Sequence, residues 1–113
     1  MRKNKNFNPN NCPVTYCINH IGGKWKPIII YLISCQCNRF GQLQRAIPSI
    51  SKQMLTQQRG ELEEDGILAR HIFAEIPPRV EYSITTFGES LFPIIDQMRD
   101  WGLKKMQNPP TVS

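Results

Sequence analysis

The chain has 113 residues, 40% hydrophobic and 20% charged, enough for one domain with a modest core. No apolar run approaches the ~18 residues of a membrane span, and the basic N-terminus MRKNKNFNPNN lacks the apolar stretch of a signal peptide, so a cytoplasmic protein is expected. The net charge is +5, yet residues 1–60 hold nine Lys/Arg and no acid while residues 61–113 hold five Lys/Arg and nine acids, a segregation that suits the first half to a polyanion.

Residues 1–11, rich in Asn and Lys, read as a flexible basic arm, 12–106 as the folded domain, and 107–113, with Pro109-Pro110, as a disordered tail. Pro13 fits a first helical position after Asn11 and Cys12, either of which can cap. Val14, Cys17, Ile18 and Ile21 then form an apolar stripe that Gly22-Gly23 stops. A second helix begins near Lys24 and tolerates Pro27 in its first turn. Its residues Trp25, Ile28, Ile29, Leu32 and Ile33 make it the expected central core helix. Phe40, Leu43 and Ile47 space a third helix of about two turns, ended by Pro48. Ser51 caps a fourth helix that runs to about Asp65, where Gly66 supplies a left-handed residue.

Leu68–Phe73 and Val80–Ile84 read as antiparallel strands, and their link is too long for a two-residue turn, so it should project as a wing tipped by Pro77-Pro78-Arg79. Thr86-Phe87-Gly88-Glu89 fits a T-x-x-E capping box for a last helix with the stripe Leu91, Ile94, Ile95, Met98 and Trp101. Pro93 inside that helix should kink it, at a cost of about 3 kcal/mol if unrelieved. The expected fold class is mainly α with a small β-hairpin wing (α+β).

On the fourth helix Leu55 and Leu62 point inward, with Met54 nearby, while Lys52, Gln53, Thr56 and Gln57 fall on the opposite, N-terminal portion. A short helix, a Pro turn, a Ser-capped helix and a basic-tipped hairpin make the layout of a winged helix-turn-helix, whose second helix reaches base edges from its N-terminal end. Gln can pair with adenine, Lys with guanine, and the Thr methyl with thymine. Arg39, Arg45 and Arg79 would hold phosphates, fixing register without reading sequence. For any one of these side chains, a plain solvated helix face is an equal reading.

The segments CPV at 12–14, IGGKWKPIII at 21–30, RF at 39–40, ISKQMLTQQ at 50–58, ELEEDGIL at 61–68 and IPPRVEYSIT at 76–85 resemble the HxlR-type family of bacterial transcriptional regulators. The resemblance spans about Cys12 to Gly102. It implies a winged-helix homodimer on operator DNA, joined through its first and last helices. It places Ser51, Lys52, Gln53, Thr56 and Gln57 at the recognition-helix positions and Arg79 at the wing tip. The chain departs from the family pattern at Arg59-Gly60, where Leu then Arg is usual, and at Gln42, where Glu is usual. Arg59 falls on the buried stripe and must snorkel or thin the core, and Gly60 costs about 1 kcal/mol against Ala.

Cys12, beside a helix N-terminus, is the candidate redox sensor because the positive end of the helix dipole favours thiolate. The resemblance agrees, since some family members respond to oxidants or electrophiles through the cysteine of the CPV-like motif. A capping or packing role is the alternative. Cys17 reads as a small core residue, and Cys35 and Cys37 are able to pair with a partner chain's thiol. Cys-x-Cys without paired His or a second Cys pair does not suit zinc, so no metal or cofactor is expected. No Cys-x-x-Cys, Gly-rich phosphate loop or paired carboxylates suggest an enzyme. The expected function is a homodimeric repressor reading an inverted-repeat operator in double-stranded DNA, with an oxidant or electrophile as inducer. The alternative is a winged helix used for protein contact alone, which the Lys-bearing first half disfavours.

Overall fold

A computed structural model of the chain describes residues 8–111, in which six helices flank one hairpin: α1 (Pro13–Ile21), α2 (Lys26–Ser34), α3 (Phe40–Ala46), α4 (Lys52–Glu64), β1 (Leu68–Phe73), β2 (Arg79–Ile84), α5 (Thr86–Glu89) and α6 (Phe92–Gln107). A 3-10 turn at Pro9–Asn11, capped by the Asn8 side chain, precedes α1 within the segment expected to be a flexible arm. Residues 1–7 of that arm lie outside the described residues, as do residues 112–113 of the expected tail.

The core is built on α2, which contacts α3, α4, α6 and β2. Its buried positions, Lys26, Ile29, Ile30 and Ile33, follow i, i+3, i+4, i+7. The buried face therefore centres on Ile29, Ile30 and Ile33; Ile28 is exposed, and Trp25 and Leu32 are partly buried. Leu43 of α3, Leu55 and Leu62 of α4, and Ile67 close the core with no solvent exposure. Burying each such side chain contributes about 1.5–3 kcal/mol. Lys26 is the one charged residue inside the described core, and its Nζ lies 2.8 Å from Glu61 Oε1, tying α2 to α4.

The end of α2 is a Schellman motif: Cys37 N donates to Leu32 O at 3.0 Å and Gln36 N to Ile33 O at 3.1 Å. Gln36 takes the left-handed position that glycine usually fills, with φ 71. α3 then starts under a one-sided cap: Gln42 Oε1 accepts from the amides of both Asn38 and Arg39 at 3.1 Å, while the Arg39 side chain has no acceptor to return the bond. An amide oxygen serves here as a carboxylate would. Pro48 follows Ile47, whose ψ of 77 has left the helical region, and Ile50 N closes the turn on Ile47 O at 3.1 Å. Ser51 Oγ accepts from Met54 N at 3.0 Å and opens α4.

Arg59 snorkels. Its Nη1 reaches Glu63 Oε1 at 2.8 Å and its guanidinium lies 5.5 Å from the Tyr82 ring centre. Gly60 leaves α4 continuous, and a Cβ built there meets nothing within 4 Å. Gly60→Ala is accordingly expected to stabilise the fold by about 1 kcal/mol, read as a higher urea midpoint at unchanged slope. A lower midpoint would mean that the glycine answers a contact this packing lacks.

Strands β1 and β2 pair from Leu68↔Ile84 to Phe73↔Arg79, which makes Arg79 the first residue of β2. The loop itself is 74–78, and Ile76, not Arg79, is its fully exposed point.

Two expectations for the C-terminal third are corrected. The cap residue is Thr85, not Thr86: Thr85 Oγ1 accepts from Gly88 N at 2.9 Å and donates to Ile67 O at 3.1 Å. The single helix expected after it is two helices broken at Ser90-Leu91, with Pro93 in the first turn of α6, where no helical amide partner is lost and no kink is needed. Gly88 is required inside α5, because a Cβ there would lie 2.5 Å from Ile67 O.

Two apolar stripes also stay outside the monomer's core. Val14 and Ile18 of α1 are exposed, as are Ile94, Met98 and Trp101 of α6, whereas Ile21, Leu91 and Ile95 are buried. Each stripe therefore anchors its helix at one end and faces outward along the rest.

Candidate nucleic-acid interface

Three neighbouring elements carry the candidate contact residues: α3, α4 and the hairpin. The helix α4 is fixed from below by Leu55 and Leu62, both fully buried, which sets the rotation of its outer face. Ser51, Lys52, Gln53, Thr56 and Gln57 are all exposed on that face. Their side chains are not equivalent. Ser51 is spent as the cap. Thr56 Oγ1 donates to Lys52 O at 2.8 Å, which leaves its methyl as the outward group. Gln57 Nε2 donates to Glu61 Oε2 at 3.2 Å. Among the described residues, Lys52 and Gln53 make no side-chain bond.

The three arginines differ more sharply. Arg45 is exposed and makes no ion pair among the described residues. Arg39 Nη2 lies 3.1 Å from Glu81 Oε2, and Arg79 Nη1 lies 2.6 Å from the same oxygen. Arg79 Nη2 also lies 3.2 Å from Glu75 Oε1, and its guanidinium stacks 3.8 Å from the Phe73 ring centre. The hydrogen bond from Arg79, then that from Arg39, holds the Glu81 carboxyl below its ordinary range. Arg79 is thus clamped at the base of the wing rather than extended at its tip. The partners Glu75 and Glu81 were not anticipated. Glu81 was readable in part, because residues two apart on a strand share a face, but Arg39 meets Glu81 only through the tertiary fold.

This pairing also tempers the charge segregation seen in the sequence. Of the first half's bases, Lys26, Arg39 and Arg59 are ion-paired with Glu61, Glu81 and Glu63. Arg45 and Lys52 keep their charge uncompensated by near neighbours, and Lys24 lies over the Trp25 ring at 4.7 Å.

Cys12 is the N-cap residue of α1, in a shallow recess with Asn10, Asn11, Thr15 and Tyr16. A hydrogen bond from the Thr15 amide, joined by its hydroxyl and the Val14 amide, pulls the Cys12 thiol below its ordinary value. Burial pushes the Cys37 thiol the other way. Iodoacetamide at neutral pH should therefore label Cys12 before Cys37, and Thr15→Val should move the Cys12 labelling midpoint to higher pH. Equal labelling rates for the two thiols would contradict this electrostatic ordering. All four cysteines are free, and Cys17 packs partly buried against the core. No group of three His, Cys, Asp or Glu gathers among the described residues, and no helix there is long and apolar enough to cross a membrane.

The model of the family described as HxlR-like helix-turn-helix matches residues 20–109. The HTH-type transcriptional regulator YybR of Bacillus subtilis (strain 168) is 47% identical over 104 residues, covering 90% of this chain and 83% of that protein. Among solved structures, the redox regulator HypR in its oxidized form superposes with a TM-score of 0.78 at 44% identity, covering 88% of this chain and 100% of that one. Diamide-treated YodB from B. subtilis superposes at 0.67 with 28% identity, covering 88% and 97%.

Proposed function

The chain belongs to the HxlR-like helix-turn-helix family of transcriptional regulators, and from that premise we propose that it is a homodimeric repressor that reads an inverted-repeat operator with the outer face of α4. The observation that carries this reading is the division of α4 itself. Leu55 and Leu62 are wholly buried while Lys52, Gln53, Thr56 and Gln57 stand exposed at the N-terminal end, the end that meets base edges in helix-turn-helix proteins.

The homodimer reading rests on the outward apolar stripes. Val14 is 65% exposed, Trp101 66% and Met106 79%, on the two terminal helices. So many large apolar side chains exposed along two helices suit an interface better than solvent. A two-fold pair would set two α4 helices about 34 Å apart, one turn of duplex. With roughly four phosphates neutralised per protomer, the slope of log K against log salt should be near −7.

Cys12 would be the thiol through which an oxidant or electrophile relieves repression; its low-lying thiolate supports this, and HypR is a redox regulator. Family relatives are transcriptional regulators rather than enzymes. Gel-shift and footprinting on fragments upstream of its own gene, with and without a thiol oxidant, test the whole reading.

The roles of two residues separate within it. Gln57→Ala is expected to remove about 1–3 kcal/mol of discrimination between operator and scrambled DNA, whereas Arg79→Ala weakens binding to both alike. Equal losses on both sequences for both variants would overturn that division.

A further inference from the structure

The connection between α2 and α3 carries two thiols that DNA binding does not employ. Cys35 is exposed, Cys37 is partly buried, and both are free. The amides of Cys35 and Cys37 each donate to the Leu32 carbonyl at 3.0 Å, so one acceptor holds the two backbones within twice that distance. Left-handed Gln36 turns the chain between them. The turn's other residues, Ser34, Gln36 and Asn38, line a recess against Tyr82, Ile84 and Phe92. Cys35 stands exposed on the turn while the Cys37 side chain packs partly buried against the core, two residues away along the same backbone. Charge on Cys35 is felt at Cys37, and so is the Arg45 guanidinium, which favours the thiolate against the burial that opposes it.

Two thiols on one tight turn, with no third His, Cys, Asp or Glu gathered beside them among the described residues, do not make a four-ligand zinc site. They suit a soft centre that two sulfurs satisfy. We propose that Cys35 and Cys37 form a dithiol site for trivalent arsenic. With an organic arsenoxide the step is a condensation. Two S–H bonds break, two As–S bonds form, and the arsenic oxygen leaves as water with both protons. Arsenic stays trivalent, so no oxidant or reductant enters.

The site is wired to the DNA-binding elements. Asn38, the next residue, donates its amide to Gln42 Oε1 at 3.1 Å in the cap of α3 and accepts from Tyr82 N of β2 at 2.9 Å. Drawing the Cys37 sulfur from the core toward Cys35 displaces the joint between the helix-turn-helix and the wing. Arsenic bridging therefore weakens operator affinity, a consequence that rests on the DNA-binding reading above.

The test uses the full chain, reduced, with phenylarsine oxide and an excess of competing monothiol. Intact-mass measurement should find one phenylarsenic bridge per chain with loss of two hydrogens. The bridge should be unchanged in Cys12→Ser and Cys17→Ser and absent in both Cys35→Ser and Cys37→Ser. No adduct, or an adduct that survives Cys35→Ser, overturns the site. Exposed Cys35 makes its serine variant safe for folding, which circular dichroism checks. A second arm measures operator affinity, expected to fall roughly tenfold on bridging, within the usual range of coupled sites. An adduct with unchanged affinity overturns the coupling alone. Absence of DNA binding by the untreated protein is a failure of the repressor reading and leaves the mass result standing.

Discussion

Replacing Leu55 with alanine is expected to lower the unfolding free energy by about 2–5 kcal/mol, a large part of the roughly 5–15 kcal/mol available to a domain of this size. Leu55 is fully buried beneath the first turns of α4 and shares its core with Ile29, Ile30 and Leu43. Its loss removes the wedge that sets the rotation of the exposed face, so operator affinity should fall even where the variant remains folded. Leu62→Ala, also fully buried but two turns further along, serves as the comparison: similar destabilisation with less loss of DNA affinity under folding conditions. Urea unfolding with operator titration checks both. If Leu55→Ala loses less than ~1 kcal/mol, α4 is not seated as described.

The second large effect concerns Glu81. Glu81→Gln is expected to raise affinity for operator and scrambled DNA together. One Glu81 oxygen engages Arg39 at 3.1 Å and Arg79 at 2.6 Å; Arg79 keeps Glu75 as a second partner, so it is Arg39 that loss of the carboxylate releases to a phosphate. The neutral isostere keeps the shape and releases the charge. Arg39 freed to a phosphate should steepen the salt dependence by about 0.9. Weaker binding at an unchanged slope would instead make Glu81 a support for the wing, holding its arginines in a productive pose.

Much of this organisation was legible in the sequence because its signals are local. Pro48, Ser51 and Gly66 mark helix ends by backbone chemistry alone, and the structure places those ends within a residue of expectation. The hairpin and the inward pair Leu55 and Leu62 followed from periodicity. The family resemblance and the winged-helix fold are borne out by the comparisons.

What escaped depends on tertiary contacts or on competing local signals. Adjacent threonines both fit a cap, and Thr85 won because its hydroxyl also reaches Ile67 O. Pro93 was read as a kink because nothing local announced the break at Ser90-Leu91, which lets the proline begin a helix instead. The acid-free first half looked like an unbroken cationic field, yet Lys26, Arg39 and Arg59 are each met by a glutamate from the second half. The rotation of α2 by which Ile30 rather than Ile28 is buried came from packing against three other helices, beyond the reach of a stripe count.

The most direct test of the central claim is selection from a random duplex pool by the wild-type protein and by a Lys52→Ala, Gln53→Ala, Thr56→Ala, Gln57→Ala variant of matched stability. The account predicts that wild type enriches an inverted repeat with half-sites one helical turn apart, while the variant retains salt-dependent binding and enriches no sequence. Enrichment of the same motif by both proteins, or of none by the wild type, would contradict it.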